Sequence, residues 1–143
     1  MEEDTRDDFE IEYDEYFDAL KINMRDVETA MSRQAGLYAR VSCIYADLRS
    51  YQDSAKMFLE DARSKLSLKN RKELEERGEK YTEAKIDSMI QTDEEYVKAK
   101  EDYIELGRWV LRYEGLLESY KQRNYMLCEL NRKTAFEMSM GHS

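Results

Sequence analysis

The chain has 143 residues, of which 38% are charged, with no proline and only 5 glycines. A β-rich domain, whose tight turns call for Gly, Pro and Asn, is excluded by that composition. No apolar run of about 18 residues is present, so no membrane-spanning helix is expected. The acidic N-terminus predicts no signal peptide.

In chain order, residues 1–18 come first, with ten acids (Glu2, Glu3, Asp4, Asp7, Asp8, Glu10, Glu12, Asp14, Glu15, Asp18) against Arg6. That segment accounts for the whole net charge of −9 and leaves residues 19–143 balanced. Such a self-repelling arm is expected to be extended or disordered. Phe9, Ile11, Tyr13, Tyr16 and Phe17 are interleaved with the acids, which gives it material for docking a partner or for mimicking DNA. A first long helix is predicted over about 20–68. Its seam runs Met24, Val27, Met31, Gln34, Tyr38, Val41, Tyr45, Leu48, then shifts phase to Tyr51, Ala55, Phe58, Ala62 and Leu66. The shift is one skip in a heptad register.

Residues 63–72 carry Arg63, Lys65, Lys69, Arg71 and Lys72 with no acid. Adjacent bases of this kind neutralise phosphates and release their counterions, although a basic run is also the ordinary composition of a solvated helix face. Gly78 is the predicted break, followed by a short amphipathic helix over 81–91 with Ala84, Ile86, Met89 and Ile90 apolar. The second long helix starts at a Thr92-x-x-Glu95 capping box. Its seam is Tyr96, Ala99, Tyr103, Leu106, Val110, Tyr113, Leu117, Tyr120, Asn124 and Leu127, a coiled-coil pattern. Gly107 and Gly115 lie inside it, as points of close helix approach or as tolerated glycines. Residues 137–143 are expected to fray.

The predicted fold is all-α: a long antiparallel hairpin with coiled-coil character plus a short connecting helix. The expected domains are an acidic flexible arm over 1–18, a helical oligomerisation and DNA-binding domain over 19–136, and the tail. Phe58, Trp109, Leu111, Leu116, Met126 and Leu130 fall partly off the seams, so a homo-oligomer is expected to bury them. Most of the 11 tyrosines lie on the seams and are expected to be core, with Tyr81 the exception. Cys43 and Cys128 are expected to be reduced thiols of a cytoplasmic protein. The single histidine, His142, reads as a solvated tail residue. No metal set, nucleophile–base constellation or phosphate-cradling glycine loop appears, so neither an enzyme nor a cofactor is expected.

Several residues together resemble the UvsY-type phage recombination mediators. They are the stretch from Tyr81 to Asp93, then Tyr96, Lys98 and the glycine-bearing helix through Gly107 and Gly115 to Lys121-x-Arg123 and Tyr125. Upstream, Leu37-Tyr38-Ala39-Arg40 and Arg63-Ser64-Lys65-Leu66 resemble the family's corresponding segments. The resemblance covers roughly 37–136. It implies a non-enzymatic ring-like homo-oligomer, a hexamer or heptamer, that binds single-stranded DNA. It further implies that the ring helps load a RecA-like recombinase onto strands covered by single-strand-binding protein, in the host cytoplasm if phage-encoded. The family's basic pair carries over to Arg63 and Lys65 in swapped order, and Lys69, Arg71 and Lys72 extend the patch. The acidic arm departs from the family pattern and is expected to gate the 63–72 patch. Two other readings of the residues stand beside this one. In one, a helical scaffold without DNA binding acts through its arm; in the other, the arm makes the chain a DNA mimic.

Overall fold

The structure, a computed structural model, describes residues 3–141, with side chains from Asp8 onward. Four helices follow in order: α1 (Glu3–Asp18), α2 (Val27–Glu76), α3 (Glu83–Gln91) and α4 (Glu94–Gly141). No strand occurs among the described residues, so the all-α class holds. The chain divides into two compact units. One comprises 1–47 with 109–143, the other 48–108.

In the first unit, the segment expected to be an extended arm is the helix α1. Phe9, Tyr13 and Tyr16 recur at four and three residues, so they share one helical face. That face is partly buried, while Ile11 and Phe17 remain more than half exposed. Tyr113 Oη donates to the Phe9 carbonyl at 2.9 Å and Tyr120 Oη to the Tyr16 carbonyl at 2.6 Å. The Tyr13 ring meets Trp109 edge-on at 6.2 Å and Tyr113 at 5.6 Å. The Tyr16 hydroxyl and Glu12 hold the Arg40 guanidinium above its ordinary range. The named contacts of α1 within this unit run to Arg40, Trp109, Tyr113 and Tyr120.

Trp109 and Leu116, expected at an oligomer contact, are instead 3% and 2% exposed within the chain, with Tyr13 of α1 against the Trp109 ring. Leu111 and Met126 do stay exposed. The rest of this core is Ala30, Val41, Ile44, Val110, Tyr113, Tyr120 and Leu127, with Gln34 and Arg123 buried among them.

The start of α2 lies at Val27 rather than near 20 because of local side-chain chemistry. Asn23 Oδ1 accepts from the Arg25 N–H at 3.0 Å, an Asx turn that holds the chain out of the helix. Asp26 then caps it, accepting from the Thr29 N–H at 3.2 Å and the Thr29 hydroxyl at 2.7 Å. Both bonds keep the Asp26 carboxyl below its usual range.

The second unit is a helical hairpin with α3 at its turn. α2 runs past 68 because nothing breaks it before Gly78, which has φ +68°. The Gly78 N–H donates to the Glu75 carbonyl at 3.1 Å and the Glu79 N–H to the Leu74 carbonyl at 3.0 Å, a Schellman ending. A Cβ on Gly78 would meet open space, so Gly78→Ala suffers only backbone strain. Chemical denaturation is expected to show a loss of about 1–2 kcal/mol.

Thr82 caps α3, its hydroxyl accepting from the Lys85 N–H at 3.2 Å. The cap of α4 is Asp93, which accepts from the Tyr96 N–H at 3.0 Å. Thr92, expected to be that cap, instead closes α3, its hydroxyl donating to the Ser88 carbonyl at 3.0 Å. Leu74, Ile86, Ile90 and Tyr96 form the core, with Leu59, Ala62, Leu66, Tyr81 and Met89 packed on it. Leu59 thus takes the inward place expected of Phe58, which is 64% exposed, and Tyr51 is also outside. Of the glycines inside α4, Gly107 lies in this unit, where a Cβ would come within 3.4 Å of Gln52 Nε2. Gly115, in the first unit, has open space.

α4 is helical to Gly141, where a frayed tail was expected. No glycine or proline interrupts it after Gly115, which accounts for its length. His142 lies outside the described residues.

Candidate nucleic-acid interface

All five bases predicted as a DNA site lie on the C-terminal half of α2, within the second unit. At about 100° per residue, Lys65, Lys69 and Lys72 fall within about 60° of one another, whereas Arg63 and Arg71 point to a different side. The run therefore spans two faces of α2.

The arginine side faces α3. Arg63 Nη2 donates to Asp87 Oδ1 at 2.8 Å, both side chains about half exposed. Arg71 pairs with Glu83, which raises the guanidinium pKa above its ordinary value, and its Nε donates to the Ser67 hydroxyl at 3.3 Å. Between the two helices runs a groove of about 460 Å³ lined by Arg63, Ser64, Ser67, Glu83 and Asp87 over an Ile86–Ile90 floor. Ile86 and Ile90 are each 2% exposed, so apolar packing holds α3 to α2 independently of the ion pairs.

The lysine side is open. Lys65 pairs with Asp61 at 2.8 Å on its own helix, which raises its ammonium pKa above the usual lysine value. Lys69 and Lys72 have no ion-pair partner among the described residues and are exposed. A second groove, of about 340 Å³, brings Lys65 and Lys69 together with the exposed Phe58 ring, and with Asp61, Asp93 and Glu95.

Sequence reasoning identified the bases but missed Glu83 and Asp87. Their spacing of four on a short helix places both on one face, and only the fold of α3 back onto α2 brings that face to the arginines. Tyr81, the tyrosine set apart as a stacking candidate, is packed on the core, and its hydroxyl donates to Glu75 at 2.8 Å. That bond raises the phenol pKa, with burial adding to it. A groove of about 570 Å³ in the first unit, lined by Gln34, Tyr38, Glu118, Lys121, Asn124 and Tyr125, holds one ammonium, which lies 3.9 Å from Glu118.

Cys43 and Cys128 are free and exposed. Among the described residues no group of His, Cys, Asp and Glu could hold a metal ion, and no helix is long and apolar enough to cross a membrane. Comparison with protein-family models, curated proteins and solved structures gives no match to the chain.

Proposed function

We propose that this protein is a recombination mediator. It binds single-stranded DNA as a ring-like homo-oligomer and helps load a RecA-like recombinase onto strands covered by single-strand-binding protein. The reading combines the resemblance to UvsY-type proteins with one observation: Lys65, Lys69 and Lys72 share an exposed face of α2, and Phe58 lies exposed in the groove beside two of them. Ammonium groups along a backbone track, with an aromatic ring for a base to stack on, suit sequence-independent binding of a single strand. Repetition of the face around an oligomer would multiply weak contacts into useful affinity. The exposed Leu111, Met126 and Phe136 supply apolar surface for such an assembly. ATP use belongs to the recombinase.

The test is fluorescence anisotropy with a labelled strand of about 40 nucleotides, long enough to meet more than one subunit's face. Lys65→Ala/Lys69→Ala/Lys72→Ala is expected to weaken binding at least tenfold near 0.1 M salt. The log–log salt slope should shrink by about 2, from three lost contacts at roughly 0.7 each. A second reading, a helical scaffold without DNA binding, draws on the carboxylates that already pair Arg63, Lys65 and Arg71. Absence of wild-type binding at low salt, with the oligomer intact by light scattering, would select it.

A further inference from the structure

We infer that Glu83 and Asp87 act as built-in competitors for the strand, seated on the two guanidiniums that would otherwise take its phosphates. The inference rests on the single-strand-binding reading above and concerns how that site is tempered.

A guanidinium fork recognises carboxylate and phosphate with the same geometry. In this fold the forks of Arg63 and Arg71 both end on carboxylates of α3. These carboxylates stand one helical turn apart, at positions four residues from each other. The groove around them has the other features of a phosphodiester seat. Ser64 and Ser67 line it, and Ser67 holds the Arg71 Nε, fixing the direction of its fork. Both ion pairs are open to water, the acids being 50% and 76% exposed, and exposed pairs of this kind are weak. A polyanion brought near by Lys65, Lys69 and Lys72 can therefore displace them. Displacement leaves α3 in place, because Ile86 and Ile90 are buried against Leu74 and Tyr96 whether or not the pairs are made. The carboxylates then remain beside the bound strand and repel it, which keeps affinity moderate. A moderate hold is what a protein that must pass its strand to another requires.

Glu83→Gln/Asp87→Asn in the full chain tests this, with helicity and melting temperature checked by circular dichroism. The probe is the labelled single strand used above. Roughly tenfold tighter binding is expected, the size for two weak exposed pairs ceasing to compete. The gain should vanish in an Arg63→Ala/Arg71→Ala background. Glu129→Gln/Glu137→Gln, which removes the same charge from α4, should change affinity less than about twofold. If the double variant lowers helicity, Asp87→Asn alone, expected to give about a threefold gain, replaces it. Unchanged affinity would overturn the inference. So would an equal gain in the α4 control, or a gain that survives loss of the arginines. If the wild type itself binds no strand at any salt, the functional reading falls first and this inference falls with it.

Discussion

Tyr113→Ala is expected to destabilise the protein by about 4 kcal/mol, the upper part of the range for truncating a large buried side chain. Tyr113 is fully buried, packs edge-on against Tyr13 and beside Trp109, and holds α1 by a hydrogen bond to the Phe9 carbonyl. The variant leaves a cavity and unties α1 together. Urea denaturation followed by circular dichroism reads the first effect. Trp109 reads the second, because it is the chain's only tryptophan and is 3% exposed with Tyr13 on its edge, so loss of α1 should shift its emission to the red. Tyr113→Phe removes only the hydroxyl. It should cost about 1 kcal/mol and leave the emission unshifted.

The same hydroxyls set a response to alkali. Burial, with Glu12 adding to it, raises the Tyr113 phenol well above the usual value, and burial raises Tyr120 as well. A folded-state pKa above the unfolded one contributes stability that is complete below the unfolded pKa, near 10, and is lost as pH rises beyond it. Stability should therefore fall above about pH 10, and Tyr113→Phe should soften that fall.

Arg123→Met is expected to cost about 3 kcal/mol, because it strands several buried polar groups at once. Arg123 is 5% exposed. Its guanidinium donates to the Leu20 carbonyl at 3.2 Å, the Ala30 carbonyl at 3.5 Å and Gln34 Oε1. Gln34 Nε2 in turn donates to the Tyr120 carbonyl at 2.8 Å. All these acceptors are neutral, and burial lowers the Arg123 pKa from its ordinary value, with nearby Arg33 also lowering it. Methionine keeps much of the volume but offers no donor, so Gln34 Oε1 and two carbonyls lose their partner. Adding Gln34→Leu should recover at least about 1 kcal/mol, since a pair removed together leaves less unsatisfied than one removed alone. Thermal unfolding of the four members of the cycle measures that coupling.

Much of the helical plan could be read in the residues, and the misses have identifiable causes. Gly78 was the expected break after the first long helix, and α2 ends beside it at Glu76, with Gly78 at φ +68°. The aromatic seam of α4 was visible because its ten predicted positions repeat at three and four; Tyr96, Leu106, Val110, Tyr113, Tyr120 and Leu127 are buried, Ala99, Tyr103 and Leu117 partly so, and Asn124 is exposed. α1 was missed because its charge masked a weaker signal, the Phe9–Tyr13–Tyr16 face. Missing that helix left Trp109 without its Tyr13 neighbour. The shift of the α4 cap from Thr92 to Asp93 turned on which of two adjacent capping residues closed α3, a contest decided by the Ser88 carbonyl. At the candidate site the bases were evident as a run, but their division into two sides follows from helix geometry. Their carboxylate partners on α3 are set by tertiary packing that no local pattern records.

α1 itself places nine acids against one base in sixteen residues. Asp8 lies four residues from Glu12, and Asp14 four from Asp18, so like charges face each other along the helix. A segment of this length is marginal as an isolated helix even without such repulsion. Its helicity and its seat on Trp109, Tyr113 and Tyr120 are therefore one event. The opening of α1 is a cooperative sub-global step with its own free energy, smaller than that of global unfolding. In native-state hydrogen exchange the amides of 9–18 should accordingly share a single protection level. Brief proteolysis should cut first in the turn over 19–26, releasing the α1 segment while α2 and α4 stay whole.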